Sequence, residues 1–154
     1  MGTTSIDYLD NGTNCQIDWC LKYIGDVSLG ESEFKIKMPL DISNVGGVYQ
    51  ILAPEKSEHY VGQSDNLYRR FYRDYQSSGY HPTKPKSTNR MVVDWVYSGL
   101  QRSSYEVYVC TSAKILINNA TELDLNFNEN RYHRLLVESA IISCRTDLKL
   151  INKI

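Results

Sequence analysis

Between Gly46 and Asp74 the chain reads GGVYQILAPEKSEHYVGQSDNLYRRFYRD, and this stretch restricts the fold more than any other. Two short apolar runs, GVYQIL and HYVGQS, each carry a tyrosine. They flank a segment with Pro54, Glu55, Lys56 and Ser57, which is the pattern of a β-hairpin. Asn66 to Tyr75 follow with helical character and a strongly basic composition. A hairpin bearing two phenols, joined directly to a helix bearing guanidinium groups, gathers over one small surface the groups that hold and cut a phosphodiester.

A chain of 154 residues suffices for one compact core and is short for two. Charge is nearly balanced, 17 Lys and Arg against 18 Asp and Glu, so affinity for a polyanion has to come from a local patch. One patch exists: Arg69, Arg70, Arg73, Lys84, Lys86 and Arg90 share the stretch from Asn66 to Arg90 with the single acid Asp74. The 12 tyrosines outnumber the 3 phenylalanines, which suits half-wet surfaces, and most of them are expected to be structural. Cys15, Cys20, Cys110 and Cys144 form no CxxC pair and are read as reduced thiols, not a zinc site. No segment approaches the roughly 20 apolar residues that span a bilayer, and no export signal is recognisable, so a soluble, cytoplasmic protein without membrane association is expected.

Along the chain, Met1 to Asn14 is polar and reads as a loose arm. Ile17, Cys20, Leu21 and Ile24 stand at helical spacing, which predicts a short helix over Cys15 to Ile24 ended by Gly25. EFKIKM, Glu33 to Met38, alternates as a strand does and stops at Pro39. Residues 1–45 are either a structural cap or an element for specificity or dimerisation. Ser64 and Asp65 are N-cap candidates for the basic helix. Gln76 to Thr88 is a surface loop, either clamping DNA through its cations or merely solvated. Asn89 to Leu100 is a helix and Tyr105 to Cys110 a strand. Ala113 to Asn118 is ambiguous, and Asn119 to Asn128 is irregular. Asn128 to Ser143 is the strongest helix, with Asn128 as its N-cap, and Leu148 to Ile154 is a short strand or coil.

The series Gly47-Val48-Tyr49, Tyr60-Val61-Gly62-Gln63-Ser64, Asn66-Leu67 and Arg69-Arg70 resembles the signature of the GIY-YIG nuclease superfamily. Arg70 falls at the spacing after Tyr60 that the family's essential arginine keeps. Arg134 to Glu138 followed by Ala140 to Ile142 resembles the family's helix with a metal-binding glutamate, and Asn152-Lys153 resembles its closing asparagine. The resemblance implies an α+β fold: a small, mostly antiparallel three-stranded core sheet flanked by helices. Residues 46–154 would be the nuclease domain, with an N-terminal helix and strand over 1–45 added to it. It implies a Mg²⁺-dependent endonuclease (Mn²⁺ as substitute) acting on double-stranded DNA, closest in style to the small restriction enzymes, with a homodimer needed to cut both strands. A nuclease toxin or phage-defence nuclease of the same fold, and a catalytically silent DNA-binding module, are the alternatives.

Within that resemblance Tyr49 is the general base or the orienter of the attacking water. A free phenol has a pKa of about 10, so a basic role needs positive charge beside it. Tyr60 bonds the phosphate or a water, and the planar fork of Arg70 clamps the phosphate. Arg69, Arg73, Lys84, Lys86 and Arg90 contact DNA. Glu138 is the metal ligand, because a carboxylate within LLVESAII asks for a cation, unless it lies at an exposed helix edge paired with Arg134. The family often has a histidine or tyrosine four residues beyond the arginine, where this chain has Asp74. Tyr75 or Tyr72 through a shifted register, or His81 from the loop, fills the role, or it is absent. His133 is a further candidate near Glu138 or a surface histidine. Asn152 either braces the site or is a tail residue. Gly62 either bends its strand or admits DNA to the backbone.

Overall fold

The computed structural model describes residues 3–10, 13–29, 34–36, 44–75, 88–100, 102–118 and 120–151. Its centre is the expected hairpin. β5 (Gly47–Ala53) and β6 (Glu58–Ser64) pair antiparallel, joined by a 3₁₀ turn at Pro54–Lys56 that Ser57 closes with φ 51°. Pro54 presets the first dihedral of that turn. Glu55 fastens it by accepting bonds from the hydroxyls of Ser103 and Ser104.

β7 (Glu106–Cys110) adds antiparallel to β5, completing the three-stranded antiparallel core. β3 (Lys22–Leu29) and β4 (Phe34–Ile36) extend it beyond β7, and β10 (Lys149–Leu150) adds parallel to β6. Among the described residues this sheet has six strands, ordered β10-β6-β5-β7-β3-β4. A second sheet is formed by β1 (Thr3–Asp10), β2 (Thr13–Cys20), β8 (Ala113–Ile117) and β9 (Thr121–Asp124), in the order β1-β2-β8-β9.

Successive side chains along a strand point to opposite faces, so the central sheet has two cores. On one face Tyr49, Ile51, Ala53 and Tyr60 pack against Leu67 and Phe71 of the basic helix and against Val92, Val93, Trp95 and Val96 of a helix at Thr88–Gly99. On the other, Val48 and Val61 pack against Val137, Ala140 and Ile141 of the helix at Arg131–Cys144, together with Ile17 and Trp19 of β2. Each such buried aliphatic or aromatic side chain contributes about 1.5–3 kcal/mol relative to exposure.

Several expectations are corrected. The stretch from Cys15 to Ile24 is extended, not helical, and part of the polar arm before it is strand β1. Ile17, Trp19 and Leu21 are buried in alternation. A bulge between Tyr23 and Gly25, where Gly25 takes φ 143°, then brings Ile24 inward out of phase. One parity shift in a strand therefore imitated a helical i, i+4, i+7 series. Segment 121–124, read as irregular, is β9. The expected loop over Gln76 to Thr88 lies, except for Thr88, outside the described residues. No helix among the described residues is long and apolar enough to cross a membrane. All four cysteines are free thiols.

Candidate active site

The site begins with register. Tyr49 of β5 stands opposite Gly62 of β6, and Ile51 opposite Tyr60, so Tyr49 and Tyr60 project from the same face, their ring centroids 6.1 Å apart. A β-carbon at Gly62 would lie 2.5 Å from Cζ and Oη of Tyr49 and 2.9 Å from a Tyr60 ring carbon. Gly62 thus makes room for the two phenols; its neighbour is the Tyr49 ring.

The basic helix is aimed at these phenols by its first turn. Asn66, not Ser64 or Asp65, is the N-cap: its Oδ1 accepts from the backbone N–H of Arg69 at 2.9 Å. Ser64 supports the cap from outside, accepting from Asn66 N–H at 3.0 Å and donating to Asn66 C=O at 2.9 Å. Leu67 N–H donates to Val45 C=O, tying the helix back to the start of β5. α1 (Leu67–Arg69) then continues as a π-helical turn over Arg70–Asp74, in which Tyr75 N–H donates to Arg70 C=O.

That turn accommodates one residue more than an α-helical turn. Tyr75, five residues after Arg70, therefore takes the place that an α-helical turn would give Asp74, and it is fully buried, as is Phe71. The Tyr75 hydroxyl lies 2.5 Å from that of Tyr49, and the Phe71 ring packs edge-on against Tyr49 at 5.0 Å. Asp74 is left on the side of the helix, 3.7 Å from Arg70 Nε. The shifted register weighed for Tyr75 is thus built into the backbone.

Burial dominates the electrostatics. It holds the Tyr49 phenol well above its ordinary range, the neighbouring Tyr75 and Tyr60 add to this, and Arg70 only partly offsets it. Tyr75 and Tyr60 are pushed up for the same first reason. Burial works against the Arg70 charge too, but the fields of Tyr49, Tyr75, Asp74 and Tyr60 outweigh it and keep the guanidinium protonated. At neutral pH the cluster is three protonated phenols around a fixed cation. Tyr49 is placed to donate or relay a hydrogen bond and is poorly suited to take up a proton. Tyr60, 6 % exposed, is the least buried of the three.

Glu138 comes from the helix Arg131–Cys144, designated α3 (Thr88–Gly99 being α2). Asn130 caps it, accepting from Tyr132 and Tyr132's neighbour His133; Asn128, the expected cap, instead accepts from Gly46 N–H at 2.6 Å. Arg134 does not pair with Glu138. It is 7 % exposed and donates at 2.6 Å both to Gln63 Oε1 and to Phe127 C=O. Burial pushes the half-buried Glu138 carboxyl up, with Arg131 offsetting part of the effect, and the Glu138 charge in turn raises Tyr60. Among the described residues no ion pair or hydrogen bond engages this carboxylate, and no cluster of three metal-ligating side chains occurs. A lone carboxylate of this kind is a candidate ligand for a divalent cation that keeps most of its waters.

Residues 45–112 match the sequence model of the GIY-YIG catalytic domain. Over these residues the chain is similar to the GIY-YIG catalytic domain. The matched segment includes Tyr49, Tyr60, Arg70 and Tyr75, while Glu138 lies beyond it. No curated protein and no solved structure gives a significant match.

The other expected contacts of the GIY-YIG domain are scattered. Arg69 pairs with Asp65 at 2.5 Å on the outer side of the helix, and Arg73 is exposed. Arg90, expected on the DNA surface, is instead 6 % exposed, with its Nε 2.9 Å from Asp94. His133 accepts from the Asn126 N–H at 2.8 Å and so fastens the loop before α3. His81, Lys84, Lys86 and Asn152 lie outside the described residues. Sequence reasoning missed Arg134 and the opposition of Gly62 to Tyr49; the second could have been found by pairing the hairpin outward from its Pro54 turn.

Proposed function

We propose that this protein is a divalent-metal-dependent DNA endonuclease of the small restriction type. The observation that carries the proposal is the convergence of Tyr49, Tyr60, Tyr75 and Arg70 on one sheet face, with the Glu138 charge acting on Tyr60. In this reading the Arg70 fork holds two oxygens of the scissile phosphate. Tyr60 donates to the phosphate or to the attacking water, and Tyr49, braced by Tyr75, orients that water. Glu138 would hold Mg²⁺, which when bound supplies charge neutralisation and a more acidic water.

The test is plasmid cleavage with Mg²⁺ and with EDTA, for the wild type and for Arg70→Ala and Glu138→Ala. Cleavage that survives EDTA and both substitutions eliminates the assignment. A second reading, a DNA-binding module without turnover, draws on the Tyr49 hydroxyl being spent on Tyr75; binding without cutting supports it. Concerted cleavage of both strands calls for two copies, and residues 1–45 are proposed as a cap, specificity or dimerisation extension. Ultracentrifugation with and without DNA tests this: a strict monomer that makes concerted double-strand breaks excludes the dimer.

A further inference from the structure

Six of the described cations are matched to acids, Lys56 with Glu58 among them. Arg69 pairs with Asp65, Arg70 with Asp74, Arg90 with Asp94, Lys114 with Glu122 and Arg145 with Asp147. Of the described members of the basic patch, Arg69, Arg70 and Arg90 are thus each engaged by an acid. Arg131, like Arg73 and Arg102, is exposed with no carboxylate among the described residues within ion-pair distance, and of these three it alone stands on the helix of Glu138.

Its position is fixed. Asn130 pins the first turn of α3 by accepting two backbone N–H groups, so Arg131 starts a well-anchored helix. Arg131 and Glu138 are two turns apart and share one helix face. Arg134, between them, is drawn off to Gln63 and Phe127 and leaves that face. Arg131 acts on the half-buried Glu138 through its field yet makes no ion pair with it. A guanidinium and a carboxylate held near each other but apart leave room for a group that suits both, such as a phosphodiester whose oxygens face the cation. Beside Arg131, the Tyr132 ring is 80 % exposed and adds an unpacked aromatic surface.

We propose that Arg131 binds a DNA backbone phosphate next to the one being cut, from the α3 side of the site and across from Arg70. This rests on the nuclease reading above. Arg131 is then a binding residue of the nuclease and not a support of the fold. Removing an exposed, unpaired arginine should leave folding intact.

The experiment measures binding of a fluorescent DNA duplex by anisotropy in EDTA, over a series of salt concentrations. It compares wild type, Arg131→Ala, Arg131→Lys and the control Arg102→Ala. One lost phosphate contact lowers the slope of log K against log salt by about 0.9. Arg131→Ala is expected to show this loss with weaker binding, Arg131→Lys to keep the slope, and Arg102→Ala to match wild type. In cleavage assays Arg131→Ala should raise KM more than it lowers kcat. Wild-type binding with an unchanged slope in Arg131→Ala overturns the proposal and leaves the nuclease reading standing. A wild type that binds no duplex removes both.

Discussion

Three described helices carry an arginine with an acid four residues later, and two of them use the pair in opposite ways. On the helix after the hairpin, Arg70 keeps Asp74 at 3.7 Å and stays on the phenol face of the sheet. On α3, Arg134 abandons Glu138 for Gln63 and the Phe127 carbonyl. The sequence spacing is identical, so the difference comes from competing acceptors. An i, i+4 ion pair contributes only about 0.2–0.5 kcal/mol, whereas a hydrogen bond from a charged donor contributes about 1.5–3 kcal/mol. Where a buried carbonyl is within reach it wins, and the acid left behind is open to a cation. In the proposed reading Arg70 belongs to the chemistry, whereas the contacts of Arg134 belong to the scaffold.

The largest effect should come from Arg70. Arg70→Ala is expected to lower kcat by about 10²–10³-fold while urea midpoints stay near wild type, since one preorganised donor to a developing charge is worth that much. Arg70→Lys should recover little, because an ammonium lacks the two-pronged fork. A variant that unfolds early would place Arg70 with Arg134 and remove the contrast.

Arg134→Ala should do the reverse and cost about 3 kcal/mol of stability, because it strips a buried carbonyl and a half-buried amide oxygen of charged donors. Urea denaturation checks this. Residual activity at low temperature, where the fold survives, should fall much less than for Arg70→Ala.

His59 offers a milder probe of the same α3 side of the sheet. It is 1 % exposed, its Nδ1 lies 3.0 Å from Gln50 Nε2, and burial lowers its pKa to about 4, with Arg145 adding to the effect and Asp147 opposing it. The folded pKa lies below the unfolded value, so the unfolded chain takes up the proton first as pH falls. Stability is full above about pH 6.5 and is lost as pH falls toward about 4. Between pH 7 and 5 the loss should be about 2 kcal/mol, and His59→Gln should abolish most of that slope. An unchanged slope would mean that His59 titrates normally.

The same contrast explains what was legible in the sequence. Local patterns sufficed for the hairpin, for α2 and α3, and for the spacing of Tyr49, Tyr60 and Arg70, because period and turn chemistry act over a few residues. The N-caps slipped by one or two positions, since Ser64, Asp65, Asn66, Asn128 and Asn130 are all competent acceptors and only tertiary partners decide among them. The extended course from Cys15 to Ile24 was hidden by the Gly25 bulge. The role of Tyr75 depended on a π-turn that composition does not announce.

The smallest effect on stability, and the one with an unusual sign, belongs to Glu138. Burial raises its pKa, so in the folded state the ionised form is the penalised one. The folded chain therefore holds this proton to higher pH than the unfolded chain, and the stability it confers at low pH is lost as pH rises through the raised pKa. At neutral pH in EDTA, Glu138→Gln should leave stability unchanged or raise it by up to about 1 kcal/mol, while cleavage falls sharply. Added Mg²⁺ should raise the melting temperature of the wild type through binding to the native state, and should leave the variant unmoved. If Glu138→Gln destabilises the metal-free protein, the carboxylate is a structural partner like Arg134, and the division between a catalytic and a scaffold use of the same spacing fails on its acidic side.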